Sequence, residues 1–373
     1  MARALPVVHL RDPLPPHRVL GVVDPADLLY GFMVNDGTAI RFQASRADPN
    51  AAAMFALGNM ITIERVDSLH LWLGFITTAR HDLESALTTL TCQDLHGSLF
   101  ERARTAKAWP EQVAGSGAMI QRVFVEADAR GEPPLLCDPP SSGDGPVVPY
   151  TPQAESIADF LRTMVAFSGW EWRIVSEINR HGIRSRLLWE ERIGDDLAFG
   201  TTFEQGVHFT GATLTEEAEA YLASAVAVGG SGVFSSRDAA QANVGGTADG
   251  DIDGIPSDQP APTSPALAGT RVVVDQQVTG KAAMRAAALR QHSTPEFVRE
   301  ALTATLYEGD NANGVASIDM SKIGIGNWYR LRFTDLAMGL AYNRRARLIA
   351  YSLEPARGAI ECVFDVRGAA TFD

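Results

Sequence analysis

The sequence predicts an α+β fold dominated by antiparallel β-structure, in which two β-domains flank a small α+β domain. Three observations carry this prediction. Short apolar runs with period-two alternation recur through the first hundred residues and again near the C-terminus. Turn-forming Asn, Asp and Gly residues separate these runs, as they do in hairpins. A single stretch with three-and-four apolar spacing, Ile157–Val165, is typical of an amphipathic helix.

The N-terminal part of the chain predicts three strands and one short helix. The strands are Val19–Val23, Gly31–Val34 and Ala39–Gln43. Asn35-Asp36-Gly37 joins the last two, and Asn or Asp before Gly between apolar runs is the strongest local hairpin signal. Residues 47–57 favour a short helix before the next strand.

The stretch Gly58–Phe100 predicts strand, tight turn, strand, longer turn, strand and short helix. Two alternating runs are joined by Asp67-Ser68, whose side chains can bond their own backbone. Leu87–Cys92 is a Thr-rich run with high β-propensity. Leu95 and Leu99 then lie four residues apart, which is helical spacing. The first β-domain is therefore predicted to span residues 1–150.

Residues 104–150 are interpreted as the irregular end of that domain, because their prolines interrupt regular structure. An α+β domain, residues 151–230, follows. Its helix is predicted to begin at Thr151, which suits the N-cap, with Pro152 at the first helical position. Gly169 is predicted to end that helix.

After the helix, Trp170, Trp172 and Ile174 alternate on one predicted strand, and Ile183–Ile193 returns as its partner. A further strand pair is predicted from the runs Leu197–Phe203 and Val207–Thr213. Periodicity leaves Ala218–Gly230 open between helix and strand. Trp170, Trp172 and Trp189 have two interpretations: they form a core, or they form a surface on which a ligand stacks.

Residues 231–270 are rich in Gly, Ser, Ala, Asp and Pro, and this composition predicts a flexible insertion. Asp249, Asp251 and Asp253 with Gly254 match the first half of a calcium loop. Pro260 stands where the loop needs a bidentate Glu. The sequence thus leaves calcium open against a solvated loop, and no metal ligand is assigned.

The last segment, residues 271–373, predicts a second β-domain with one Ala-rich helix, Lys281–Gln291. Its predicted strands are Arg271–Asp275, Trp328–Phe333, Ala346–Leu353 and Ile360–Val366.

Composition restricts the class of protein. The formal net charge is −13, from 45 acidic and 32 basic residues. This balance argues against a phosphate-binding surface and suits a surface that nucleic acid passes without binding. Cys92, Cys137 and Cys362 lie far apart, which indicates neither a zinc site nor a disulfide framework. A secretory signal and a membrane-spanning helix are not expected, since no apolar run is long enough.

No motif for a known chemistry emerges. The motifs G-x-S-x-G, H-E-x-x-H, G-x-G-x-x-G and G-x-x-x-x-G-K-[ST] are absent from the sequence. Gly324-Ile325-Gly326 is followed rather than preceded by a strand, so a dinucleotide site is not predicted. No catalytic, cofactor-binding or metal residue is assigned, and the chain is predicted not to be an enzyme. The remaining candidates are five arginines, which act either as charges on strand edges or as inter-subunit ion-pair partners: Arg184, Arg186, Arg344, Arg345 and Arg347.

Several stretches together resemble a known family. The order and spacing of these stretches are similar to baseplate hub and tail-tip proteins of long-tailed phages, a pattern shared with gene transfer agents and contractile injection systems. The stretches are Gly58–Ile63, Trp72–Ile76, Leu90–Leu95, Leu197–Phe209, Ala225–Gly230 and Ile323–Arg330.

The resemblance implies two tail-tube-like antiparallel β-barrel domains per chain, residues 1–150 and 271–373, with the α+β domain inserted between them. It implies a homotrimeric ring in a particle tail, made in the bacterial cytoplasm. Distal tail or tube proteins would bind above and tip, spike or fibre proteins below, with DNA only as transiting cargo and no stable membrane insertion. The alternative hypothesis is a carbohydrate-binding or glycan-hydrolysing β-protein of a tail fibre or secreted module, which requires exposed tryptophans.

Overall fold

The structure is a computed structural model. It describes residues 5–15, 17–47, 51–65, 70–82, 84–105, 112–131, 135–150, 152, 154–179, 182–217, 224–229, 232–235, 270–274, 299–308, 314–335 and 340–366.

β-strands dominate the described residues, as the sequence predicts. The strands are β1 Val7–Arg11, β2 Val19–Val23, β3 Ala26–Met33, β4 Ala39–Ser45, β5 Met60–Glu64, β6 Trp72–His81, β7 Leu87–Asp94, β8 Gln112–Gly115, β9 Val147–Tyr150, β10 Glu171–Asn179, β11 Gly182–Glu190, β12 Thr202–Glu204, β13 Ala212–Glu217, β14 Ser224–Gly229, β15 Gly232–Ser235, β16 Thr270–Val274, β17 Arg299–Tyr307, β18 Trp328–Asp335, β19 Leu340–Glu354 and β20 Ala359–Asp365. The helices are α1 Ala51–Met54, α2 Ser116–Arg130 and α3 Ile157–Ser168, with a π-helical turn at His96–Phe100 and a 3-10 turn at Met320–Lys322.

Thirteen strands form one large sheet. Its main path is β13-β17-β20-β19-β3-β4-β7-β6-β5-β1-β2, and each neighbouring pair on it is antiparallel. We call β1–β7 the N-terminal half-sheet, and β12, β13 and β17–β20 the C-terminal half-sheet. In the described part of the chain the path stays open at β2 and β13, and no closed barrel forms.

The predicted hairpin at Asn35-Asp36-Gly37 is confirmed, since β3 and β4 pair antiparallel on either side of it. Alternation explains the rest of the N-terminal half-sheet. In β4, Ile40, Phe42 and Ala44 are buried, while the residues between them face outward. The order of strands predicted over Gly58–Phe100 is also found, with β5, β6 and β7 followed by the π-helical turn. The predicted turn at Asp67-Ser68 lies outside the described residues.

The prediction of an irregular segment over residues 104–150 is wrong for α2. Met119, Ile120, Val123, Phe124 and Ala127 are buried along one side of this 15-residue helix. Their three-and-four spacing is a helical signal, and the prolines that obscured it lie outside the helix. The helix ends at Gly131, whose left-handed backbone (φ 67°) caps it.

The predicted start of the next helix is also wrong. Helix α3 begins at Ile157 and not at Thr151, because Ser156 supplies the N-cap. The Ser156 hydroxyl accepts a hydrogen bond from the Asp159 backbone N–H at 3.0 Å. The predicted end at Gly169 is confirmed, with φ 69°.

Residues 197–213 do not form a strand pair of their own. Strand β12 runs parallel to β18, and β13 pairs antiparallel with β17, so both belong to the C-terminal half-sheet. The open question at Ala218–Gly230 resolves to strand over Ser224–Gly229, which pairs with β15 and β16. The Ala-rich stretch 281–291 and the aspartates at 249, 251 and 253 lie outside the described residues.

Two large cores support this arrangement. One runs without a break through both half-sheets, from Val8 to Val366. The other packs α2 and α3 against β9, β10 and β11.

Candidate functional site, the joint between the half-sheets

The two half-sheets meet where β3 pairs with β19. The register opposes Tyr30 to Leu353 at one end and Met33 to Ala350 at the other. Strand β19 can join the half-sheets because, with 15 residues, it is long enough to pair with two different strands along one edge. Its first half pairs with β18 and its second half with β3, while β20 lies on the other edge. Strand β19 is therefore shared by both half-sheets.

Gly31 is the position of closest approach in this joint. A Cβ atom placed on Gly31 would lie 2.3 Å from the Tyr351 carbonyl oxygen, closer than any real side chain comes to backbone. Next to it, the Phe32 and Tyr351 rings pack with their centroids 5.4 Å apart. The joint thus depends on a residue without a side chain flanked by a pair of aromatic residues.

A buried ion pair also links the half-sheets. Arg65, just after β5, donates to both carboxylate oxygens of Glu308, just after β17, at 2.8 and 2.5 Å. Both side chains are almost fully buried, at 1% and 4% exposure. Two such charges are tolerated in the interior only because each satisfies the other with a bidentate geometry.

A second ion pair connects the α+β domain to the C-terminal half-sheet. The Arg347 guanidinium contacts both carboxylate oxygens of Glu171 at the start of β10. It also donates to the carbonyl oxygens of Gly326 at 2.9 Å and Ile193 at 2.7 Å. The same carboxylate accepts the Ile193 backbone N–H at 2.9 Å. These contacts link the start of β10, the segment after β11, the turn before β18 and strand β19. The cluster therefore fixes the position of the α+β domain relative to the C-terminal half-sheet.

Two glycines allow the backbones to cross at this cluster. Gly194 and Gly326 both have left-handed φ values, of 102° and 86°. A Cβ on Gly194 would lie 2.2 Å from the Gly326 carbonyl carbon, and one on Gly326 would lie 2.3 Å from the Ile193 oxygen. Glycine is therefore required twice at this crossing.

The β3–β4 hairpin makes the third connection, onto β10. The backbone N–H of Asn35 donates to the backbone carbonyl oxygen of Trp172 at 3.0 Å. In return, the backbone N–H of Trp172 donates to the side-chain oxygen of Asn35 at 2.7 Å. Asn35 has φ 62°, a conformation that Asn tolerates better than most residues. The hairpin predicted from sequence is thus also a contact between domains.

Asp94 holds the base of this hairpin from inside. Its carboxylate accepts the backbone N–H of Thr38 at 2.6 Å and that of Gly97 at 3.0 Å. The Thr38 hydroxyl in turn accepts the Trp72 indole N–H at 2.9 Å. Burial raises the pKa of Asp94 to about 6, although the two backbone bonds oppose that change and nearby Asp36 adds to it.

The tryptophans are core residues. Trp172 and Trp189 are 1% and 5% exposed, and the Trp189 indole N–H donates to the Ser116 hydroxyl on α2 at 3.1 Å. Trp170 packs against Trp189 with ring centroids 6.1 Å apart. This arrangement contradicts the exposed stacking surface that the glycan hypothesis requires.

Arg184, Arg345 and Arg347 have ion-pair partners within the chain. Arg184 bonds Asp138 at 2.6 Å, and Arg345 pairs with Asp196 at 2.8 Å. The Arg345 guanidinium also lies 4.3 Å from the Trp328 ring centroid. The third is Arg347, already described. These three arginines pair within the chain, and the two predicted roles, strand-edge charge and inter-subunit pairing, stay predictions.

No chemical centre is evident in the described part of the chain. No group of three or more His, Cys, Asp or Glu residues there is placed to hold a metal ion. Burial raises the pKa of all three cysteine thiols far above their usual range, which disfavours the thiolate form. None of the helices described is long and apolar enough to cross a membrane. The candidate functional site is therefore the set of contacts that join the two half-sheets and the α+β domain: the β3–β19 pairing and the two buried ion pairs.

Solved structures share this fold. The 43 kDa tail protein of prophage MuSo2 from Shewanella oneidensis is 10% identical, with a TM-score of 0.55, over 97% of this chain and 98% of that one. A prophage tail protein from Listeria monocytogenes is 11% identical, with a TM-score of 0.51, over 97% and 94%. In the lidded Francisella PdpA-VgrG complex, one chain is 7% identical, with a TM-score of 0.52, over 100% of this chain and 55% of that one. The sequence matches no protein-family model and no curated protein.

At these identities the likeness establishes the fold. The resemblance to phage tail proteins that the sequence predicts is thereby confirmed at the level of the fold. It extends over nearly the whole chain in the prophage proteins, so it includes both half-sheets and the α+β domain between them.

Proposed function

We propose that this chain is the structural hub of a phage-like tail tip or baseplate. Three copies form a ring that connects the tail tube to a tip or spike and gates the passage of DNA. The observation that carries the proposal is the edge-to-edge joint of two half-sheets, in a fold shared with prophage tail proteins along nearly their full length.

The joint supports the proposal that one chain supplies two of the six units of a sixfold tube, the symmetry that the resemblance to tail hubs implies. Each half-sheet is one tube-like unit, so that three chains present six. In this proposal the units take the place of the two predicted barrels: β1–β7 form the first, and β12, β13 and β17–β20 form the second. Helix α2 and strand β9, which lie within residues 1–150, belong to the core of the α+β domain instead. The α+β domain has its own core, and we place it on the outside of the ring. A ring of this kind needs rigid connections within each subunit, and the Arg65–Glu308 and Glu171–Arg347 pairs provide them.

The charge of the chain supports passage of DNA rather than binding. A net charge of −13 repels the phosphate backbone, so DNA crosses the ring without being retained. The role is mechanical and uses no cofactor. The partners are tail-tube or distal tail proteins on one side and tip, spike or fibre proteins on the other. Assembly takes place in the bacterial cytoplasm, and the mature location is the particle tail of a phage or gene transfer agent.

Light scattering of the purified chain at several concentrations tests the proposal. A ring of three 40.1-kDa chains gives a mass of about 120 kDa that persists on dilution, and negative stain shows a central opening. If the chain stays monomeric at every concentration, it does not form the ring by itself, and that part of the proposal is overturned.

A further inference from the structure

The two ends of the main strand path have different surfaces. At one end, β2 exposes three large apolar side chains: Val19 at 48%, Leu20 at 43% and Val22 at 59%. In the described residues β2 pairs with β1 alone, so its outer edge is open. Strand β2 carries no proline and no charged residue, the usual devices that keep an edge from pairing.

At the other end, β13 pairs with β17 alone among the described strands. Its Thr213 and Thr215 are exposed, and threonine is well suited to a strand. Strand β12 is also an edge, but it has three residues and lies beside the main path.

The joint within the chain shows that the two half-sheets can pair edge to edge. There, the β3 end of the N-terminal half-sheet meets the β19 end of the C-terminal half-sheet. The remaining ends, β2 and β13, lie at opposite termini of the path. A head-to-tail contact between copies brings one of each together, and such contacts close into a ring when the rotation from copy to copy completes a full turn.

The strand count fixes the direction of that contact. The path has eleven strands, and all of its neighbours are antiparallel, so β2 and β13 of one chain run the same way. Rotation about a ring axis that runs broadly along the strands preserves this direction from copy to copy. A β2 edge therefore meets the next β13 edge in parallel. A two-fold dimer instead brings two β2 edges together antiparallel.

We propose that β2 of one copy pairs in parallel with β13 of the next, so that the large sheet continues around the ring. This inference rests on the proposed ring and specifies its interface. Pairing satisfies the open backbone groups of both edges and covers Val19, Leu20 and Val22 with the neighbouring subunit.

Disulfide cross-linking between two variants, each with one added cysteine, tests the interface. One preparation carries Val22→Cys, and the other carries Thr213→Cys or Thr215→Cys, the exposed positions at the middle of β13. The chains are mixed, reassembled and oxidised. We expect a covalent heterodimer for one of the two threonine positions. The parent chain is the control for the native cysteines, and Leu57→Cys, an apolar position exposed at 66% outside the edges, is the control for random collision.

Failure of this interface and failure of the ring give different results. A 120-kDa assembly without the Val22–Thr213 or Val22–Thr215 bond leaves the ring standing and overturns the β2–β13 interface. Cross-linking of Val22→Cys with itself, in a dimer, overturns both.

A charge placed on the edge gives an independent readout. Val22→Lys leaves the fold intact because the side chain is exposed, which circular dichroism checks, and it opposes pairing. We expect the assembly to dissociate at concentrations at least tenfold higher than for the parent. Leu57→Lys is the matched variant and should behave like the parent. An unchanged assembly for Val22→Lys overturns the proposal.

Discussion

The two half-sheets are built from the chain in different ways. In the N-terminal half-sheet, β3 pairs with β4 across a short turn, and β5, β6 and β7 are successive neighbours. In the C-terminal half-sheet, β12 pairs with β18 and β13 with β17, across the long stretch that separates them in sequence. The first is specified mostly by local contacts. The second depends on distant segments that find each other, which costs more chain entropy on closure.

This difference indicates where each half is vulnerable. Local hairpins retain their turns and alternation when a distant contact is lost. The C-terminal half-sheet relies on the shared core, the β3–β19 joint and the buried ion pairs. We therefore expect substitutions at the connections to loosen the C-terminal half-sheet first.

The largest effect is expected for Arg65→Met, which removes the partner of a buried carboxylate. Leaving one member of a buried pair alone costs about 3 to 5 kcal/mol of unfolding free energy. Urea denaturation followed by tryptophan fluorescence and by circular dichroism measures the loss. The double variant Arg65→Met with Glu308→Leu removes both charges, and we expect it to recover most of the stability. Equal losses in both variants would mean that packing, and not charge, matters at this position.

Asp94 is expected to give a pH-dependent effect of intermediate size. Its pKa is about 6 in the folded chain and about 3.9 when unfolded, so the folded state holds more protons between these values. Stability therefore falls as pH rises from about 4 to 6 and levels off above, a change of roughly 2 to 3 kcal/mol. Asp94→Asn should remove this slope from denaturation curves taken across that range.

Asp82 provides a control of opposite sign. Hydrogen bonds from the Ser85 hydroxyl and the Glu84 backbone lower the pKa of this exposed carboxyl, so its contribution is lost as pH falls. Asp82→Asn should leave the slope from Asp94 in place. A slope that survives in Asp94→Asn would assign the effect to another group.

Gly31→Ala tests the β3–β19 joint directly. The new methyl group has no room beside the Tyr351 carbonyl, and the strands must separate to admit it. We expect a loss of about 1 to 3 kcal/mol, as for other overpacked sites, and faster hydrogen exchange in β3 and β19. Gly211→Ala is the matched variant, because a Cβ there meets nothing within 4 Å. Similar exchange rates in both variants would show that the joint accommodates the change.

The smallest effect is expected at the surface of the α+β domain. Arg162 bonds Glu101 and Asp159, each at 2.7 Å, but its side chain is 48% exposed. Solvent screens such pairs, and Arg162→Met should cost less than about 1 kcal/mol in the same denaturation assay. A loss as large as that of Arg65→Met would contradict the distinction between buried and exposed pairs.

The sequence alone determined the local elements. Alternation in β4, turn chemistry at Asn35-Asp36-Gly37, and the stop at Gly169 each act over a few residues, and the structure has all three. Helix α2 carries the same kind of signal, in Met119 to Ala127, but the prolines on either side of it favour a prediction of irregular structure. For Trp170, Trp172 and Trp189 the sequence leaves a core and a stacking surface both open, and packing against the rest of the domain, including α2, places them in the core.

Tertiary structure decided the connections. Nothing local marks Arg65 and Glu308, 243 residues apart, as partners, or Gly194 and Gly326 as the crossing of two backbones. Likewise, β12 and β13 read as a hairpin in sequence, because propensity specifies a strand but not its neighbour. Pairing over such distances is set by which edges and charges remain unsatisfied once the local elements have formed. That information exists only in the assembled sheet.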